Sequence, residues 1–217
     1  MTTGCEVDHL VVVAATLEEG ARWCEATLGI VPGPGGRHPL MSTHNRLFSI
    51  ACAAFPRAYC EIIAIDPAAP RPTRARWFGL DTLRLVDGPR LVHFVARTAA
   101  LDAQCAALRA VGLETGPAIA ASRDTPEGRL AWRIAVRDDG CLLAAGALPT
   151  LIEWGPRHPT ETMPDSGVAL RGLALRGLPA TAARVLQLRG VELAAGAGPA
   201  LTATLDTPCG TIHITST

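Results

Sequence analysis

The chain has 217 residues, 48% hydrophobic and 18% charged, so it can bury a core and is not expected to be disordered. Twenty basic residues balance twenty acidic ones, and all the basic ones are arginine. The absence of lysine excludes Schiff-base chemistry, and zero net charge argues against nucleic-acid binding and against a basic membrane-surface role.

The first element expected is a buried strand, Val7–Val13. Thr16 and Glu19 then form a capping box, opening a helix Leu17–Leu28 that Gly29 closes. Residues 31–39 read as a loop, Leu47–Ala51 and Tyr59–Ile65 as strands, and Asp66–Pro72 as a proline-rich connector. The order then repeats. Leu91–Val95 is a strand, 100–111 a helix, 116–128 a loop, and Ala131–Val136, Leu142–Ala145 and Leu151–Trp154 are strands. A shorter unit follows, with strand Val168–Leu175, helix 180–188, and strands near Leu201–Leu205 and Gly210–Ile214.

One helix followed by several strands argues against a doubly wound parallel sheet and for an α+β fold. The expected organisation is a unit over 1–160, built from two modules at about 5–72 and 88–157, with an extension over 161–217 resembling a reduced third copy.

Four polar residues interrupt apolar strands at matched places. His9 and His93 sit in the first strand of each module, Glu61 and Glu153 in the last. A carboxylate between apolar neighbours is costly unless paired or bound to metal. Taken singly, a strand histidine is more often a hydrogen-bonded core residue, and a strand-end glutamate a salt-bridge partner. The matched positions are what raise a divalent metal site, with Zn, Ni, Co, Mn or Fe(II) suiting two imidazoles and two carboxylates. In that reading Glu61 and Glu153 also carry proton transfer. By two-residue periodicity His9 should face with Val7 and Val11, opposite Asp8 and Leu10.

Arg37, His38, His44, Asn45 and Arg46 lie near the second strand and are expected to contact a substrate, with Arg37 or Arg46 gripping a carboxylate. Arg129 is the better anion-binding candidate of the interval holding Arg123, Arg129 and Arg133. Trp132, facing away from Arg129, and Trp154 are expected to line a pocket or the core. Gly35-Gly36 lacks the spacing of a phosphate loop, and no nucleotide cofactor is expected. Seven cysteines without a CxxC pair read as free thiols in a reducing compartment. With no basic-then-apolar start and no apolar run long enough to span a bilayer, a cytoplasmic protein is expected.

The stretches Asp8-His9-Leu10-Val11, Gly35-Gly36-Arg37-His38-Pro39, Thr43-His44-Asn45-Arg46 and Tyr59 to Pro67 carry a resemblance. They are similar to the vicinal oxygen chelate superfamily, most closely its glyoxalase-like domain branch. The resemblance covers about residues 5–158, and the tail resembles that branch's C-terminal extension. It implies paired βαβββ modules curling into one half-open barrel around a central site. It also implies metal ligands at His9, Glu61, His93 and Glu153. The expected function is metal-dependent lyase, isomerase or dioxygenase chemistry on a small molecule with vicinal oxygens. The alternative is a non-catalytic small-molecule binding or sequestration protein of the same fold. Partners expected are a small, anionic ligand and a second copy as a homodimer.

Overall fold

The computed structural model describes residues 4–216. Strand β1 (Glu6–Val13) leads into helix α1 (Leu17–Leu28). Thr16 caps the helix as expected, while the return bond of Glu19 goes to the residue before the cap and not to Thr16 itself. Thr16 Oγ1 accepts from the Glu19 amide at 3.1 Å, and Glu19 Oε2 accepts from the Ala15 amide at 2.9 Å. Gly29 ends the helix at φ 71°, the left-handed conformation that favours glycine. The module continues through β2 (Arg37–His38), β3 (Thr43–Ser49) and β4 (Tyr59–Ile65). Strand β3 begins earlier than the expected Leu47, so His44, Asn45 and Arg46 are strand residues with fixed faces.

The second module holds β5 (Arg90–Arg97), α2 (Leu101–Ala110), β6 (Ala118–Thr125), β7 (Gly128–Ala135) and β8 (Thr150–Trp154). Two expectations are corrected. The interval expected as a loop contains β6, an edge strand with no fully buried residue, so its sequence shows no apolar alternation. Leu142–Ala145 is not a strand. It leads into a short 3-10 turn, Ala144–Gly146, and its apolar character comes from packing on the two cores.

The sheet order is β2-β3-β4-β1-β5-β8-β7-β6. In each module the first strand pairs in parallel with the last, β1 with β4 and β5 with β8. The modules join where β1 and β5 run antiparallel. These are the two βαβββ modules, and their strands form one curled, half-open sheet with edges β2 and β6.

The extension comprises β9 (Ala169–Arg176), α3 (Ala180–Leu186), β10 (Val191–Ala194), β11 (Leu201–Thr207) and β12 (Gly210–Thr215). Its sheet order is β10-β9-β11-β12. Here the first strand pairs in parallel with the strand directly after the helix, not with the last strand as in the modules.

Two apolar cores lie on opposite faces of the large sheet. The helix-side core joins Leu10, Val12, Leu28, Phe94 and Leu108 to Leu170 and Leu205 of the extension. The concave-face core contains Val11, Ile63, Trp77, Phe78, Val95, Trp132 and Ile152. Full burial of such a side chain stabilises by about 1.5–3 kcal/mol. The helix-side packing is close at Gly20, where an added Cβ would lie 2.3 Å from Ile62 Cγ2. Alanine favours a helix over glycine by about 1 kcal/mol, but overpacking costs about 1–3 kcal/mol. Gly20→Ala is therefore expected to destabilise, read as a lower urea midpoint with an unchanged m-value.

Candidate functional site

Matching bulges in the two central strands set the site. In the β1–β5 pairing the register skips Asp8 on one strand and Val92 on the other. A bulge turns two successive residues toward one face. Val7 and Leu10 belong to the helix-side core, while Asp8 and His9 between them turn to the concave side. The expected grouping of His9 with Val7 is therefore corrected: strict alternation fails at the bulge, and Asp8 sits beside His9 instead of opposite it.

The bulges also make His9 and His93 counterparts. The last strands then diverge. Glu61 pairs with Val11 on β1, whereas the residue pairing with the matching Val95 on β5 is Thr150. Glu153 lies three residues further, an odd step that turns it to the other face. There it meets Arg133 at 3.2 Å, and Arg133 also binds Asp102 of α2 at 2.7 Å.

His93 is fully engaged. Its Nδ1 donates to the Gly146 carbonyl at 3.0 Å, and its Nε2 accepts from the Thr150 amide at 3.0 Å with Thr150 Oγ1 at the same distance. Phe78 packs on the ring, with centroids 5.4 Å apart. Of the four expected metal ligands, the fold brings together His9 and Glu61 only. Among the described residues, no group of three or more His, Cys, Asp or Glu side chains is placed to hold a metal ion. The set His9, Glu61, His93 and Glu153 does not fit a divalent metal centre, because His93 is saturated and Glu153 faces away.

The first module holds a connected polar cluster. His9 Nδ1 lies 2.7 Å from Asp8 Oδ1, and its Nε2 lies 3.6 Å from Glu61 Oε2. Asn45 donates to Glu61 Oε1 at 2.6 Å, and its carbonyl oxygen accepts from the Gly36 amide at 2.7 Å. His38 places Nε2 3.4 Å from the Asn45 amide nitrogen and Nδ1 3.1 Å from Thr43 Oγ1. Tyr59 stacks on His9 at 4.6 Å. Asp8 is fully buried and also receives the His158 Nε2 and Trp154 Nε1 donors, each at 3.0 Å.

Part of this cluster faces a cavity of about 40 Å³. His9, His38, Asn45, Glu61 and Arg123 supply its polar wall, and Tyr59, Trp77, Phe78, Trp132 and Trp154 its aromatic wall.

Burial disfavours charge here, and local partners decide which groups resist it. Burial alone would raise the Asp8 carboxyl, but the hydrogen bonds from His158 and His9 outweigh it and hold Asp8 well below the usual carboxylate range. Burial lowers His38 to about 4, although the nearby Glu61 opposes the shift. Burial lowers His93 to about 3. Burial, with the Asp8 and Glu61 carboxylates nearby, pushes the Tyr59 phenol well up.

His38 and His93 therefore stay neutral in the folded chain while unfolded histidine takes a proton near pH 6.5. As pH falls from about 6.5 toward 4, the unfolded state binds protons that the folded state refuses. Stability is full above that window and is lost within it, by up to about 1.4 kcal/mol per pH unit for each histidine. Asp8 adds a further loss below its unfolded value near 3.9. Urea unfolding at pH 7.5, 6 and 5 should show the decline, and His93→Gln should flatten it.

The remaining expected contacts divide by strand face. Asn45 reaches the cavity, and His38 joins it from β2. His44 and Arg46 are on the other face of β3, shared with Phe48 of the helix-side core. Arg37 is exposed and pairs with Asp66 at 3.4 Å. Arg129 donates to Ser122 at 2.7 Å in an open groove outside the sheet. Trp132 faces the cavity. The arginine in the cavity wall is Arg123, on the strand that was expected to be loop. Trp154, which with Trp132 was expected to line a pocket or the core, is in the cavity wall, and Asp8, Tyr59 and His158 are further members not singled out from the sequence.

Comparison with known proteins agrees with this architecture. The glyoxalase-like domain family model matches residues 7–196. No curated protein matches the sequence. A hypothetical protein from Staphylococcus aureus has a similar structure, with TM-score 0.58 and 12% identity over 98% of this chain and 86% of that one. Methylmalonyl-CoA epimerase from Mycobacterium tuberculosis aligns at TM-score 0.41 and 17% identity, over 72% of this chain and 89% of that one. A methylmalonyl-CoA epimerase in complex with methylmalonyl-CoA and ammonium aligns at TM-score 0.46 and 14% identity, over 72% and 99%. Among the described residues, no helix is long and apolar enough to cross a membrane. The two βαβββ modules and the match over residues 7–196 lead to one conclusion: the chain belongs to the glyoxalase-like domain family.

Proposed function

We propose that the protein is an enzyme that moves a proton on a small molecule with neighbouring oxygens, using Glu61 of the first module as the base. The observation that carries this reading is the setting of Glu61. The carboxylate is buried, one oxygen is fixed by Asn45 at 2.6 Å, and the other lies beside His9 Nε2 in the cavity. A carboxylate held in one orientation and shielded from water is suited to general base work.

The steps follow from the chain's own groups. Glu61 Oε2 takes the proton from a substrate C–H. The electron pair left behind spreads onto the adjacent carbonyl oxygen, giving an enolate. Protonated Glu61 then returns the proton to the same carbon, and the enolate electron pair re-forms the C–H bond while the carbonyl is restored. Asp8 fixes His9 through Nδ1 and leaves Nε2 directed at Glu61. His9 Nε2 is thereby left as an acceptor beside the base, placed to take a hydrogen bond from Glu61 once the carboxyl carries the substrate proton. The aromatic wall limits water, which would otherwise level the base.

The test is proton exchange in D₂O, followed by ¹H NMR over a panel of 2-oxo acids, 2-hydroxy ketones and their aldehydes. The reading predicts protein-dependent loss of a C–H signal for at least one compound. A panel in which compounds bind but none exchanges would overturn it.

A second reading, capture of a small molecule without chemistry, is favoured by the aromatic character of the same wall: Trp77, Phe78, Trp132 and Trp154. It predicts ligand-dependent tryptophan fluorescence changes with no exchange.

A further inference from the structure

We propose that the cavity takes its ligand by a carboxylate group, held by Arg123 and the indole N–H of Trp77. The proposal rests on the reading of this cavity as the ligand site and names the class of molecule it accepts.

Arg123 comes from β6, one edge of the half-open sheet, and reaches the opposite edge. An added Cβ on Gly36, just before β2, would lie 2.6 Å from its terminal nitrogen. A Cβ on Gly35 would lie 2.3 Å from Asn45 Oδ1. The Gly35-Gly36 pair is therefore the space into which Asn45 and the guanidinium fit. The one hydrogen bond of Arg123's side chain among the described residues is to Asn45 Oδ1, at 3.5 Å. No carboxylate of the described residues lies within 4 Å of it, although ion pairs occupy Arg37, Arg76, Arg97, Arg133 and Arg137. A guanidinium offers five donors in a fork that matches a carboxylate, so most of its capacity faces no partner.

Trp77 supplies the independent observation. It is 6% exposed, forms part of the cavity wall, and its indole nitrogen has no hydrogen-bond partner. A buried donor without an acceptor is costly, and an incoming acceptor recovers that cost. The space suits such a group. A water needs at least about 10–15 Å³ of such volume, so a cavity of about 40 Å³ admits a group of a few atoms.

Asn45 also answers the objection that Glu61 would repel an anion. Its amide N–H holds Glu61, and its carbonyl oxygen faces Arg123. Base and cation thus sit at opposite ends of one side-chain amide. A carboxylate resting on Arg123 would share the cavity with Glu61.

The test uses acetate as probe and acetamide as its neutral counterpart, titrated into the full chain and followed by tryptophan fluorescence and amide NMR shifts. Wild type should bind acetate saturably and acetamide not at all. Arg123→Gln should weaken acetate binding by about ten-fold or more, the expected loss for a charge-assisted contact. Trp77→Phe, which removes only the N–H donor with little change of shape, should weaken it by a smaller factor. Native amide dispersion in both variants confirms folding. Equal acetate affinity in wild type and Arg123→Gln, or no saturable acetate binding by wild type, would overturn the proposal. Glu61→Gln separates the two claims. If it keeps acetate binding while exchange is lost, both stand. Arg123-dependent acetate binding without exchange on any compound leaves this subsite standing and removes the proton-transfer reading.

Discussion

Asp8→Ala is expected to destabilise the fold by about 3–5 kcal/mol, the cost of removing one partner from a buried charged network. Asp8 has no exposed surface and accepts from His9 Nδ1, His158 Nε2 and Trp154 Nε1. Alanine leaves three donors with no acceptor, two of them on buried histidines, in addition to a cavity. The damage also spans the molecule, because the three partners come from β1, β8 and the segment after β8. Asp8→Asn preserves volume but replaces one accepting oxygen with a donor facing another donor, so it should recover only part of the loss. Urea unfolding of both variants beside wild type checks this. A loss below about 1 kcal/mol for Asp8→Ala would mean that the network is solvated and not buried.

Glu61→Gln is expected to lower proton exchange by about 10²–10⁴-fold, the usual contribution of a positioned general base. The amide keeps the shape of the side chain but cannot accept the substrate proton at neutral pH. It retains a carbonyl oxygen for Asn45 to donate to and an NH₂ for His9 Nε2, so the fold should tolerate it. Ligand affinity should change far less than turnover, which marks a role in the step and not in binding. Matched losses in affinity and rate would instead assign Glu61 to ligand contact.

The architecture was legible because its signals are local and repeated. Thr16 and Glu19 announced the first helix, and the strand–helix–strands order recurred at the right spacing. What hid was whatever depends on register. His9 and His93 are true counterparts, but Glu61 and Glu153 look equivalent only by their place near a strand end. Pairing makes Thr150 the counterpart of Glu61, and the odd offset sends Glu153 to Arg133. Asp8 was hidden by the bulge, which breaks alternation without leaving a mark in the sequence. Its clue was cost: an aspartate inside an apolar run needs buried partners, and His158 in the distant His-Pro-Thr stretch provides one. Arg123 was hidden because β6 lacks an apolar face. Its clue was the Thr125-Pro126-Glu127-Gly128 turn, across which Thr125 pairs with Gly128 and begins the hairpin.

We propose that proton transfer rests on Glu61 of the first module, the matching place in the second being closed by His93, Thr150 and Phe78. The most direct measurement compares proton exchange by Glu61→Gln and Glu153→Gln on the same substrate under the same conditions. Glu61→Gln should lose exchange, while Glu153→Gln should keep it near the wild-type rate. Loss of exchange in Glu153→Gln with a folded chain, or retention in Glu61→Gln, would contradict it.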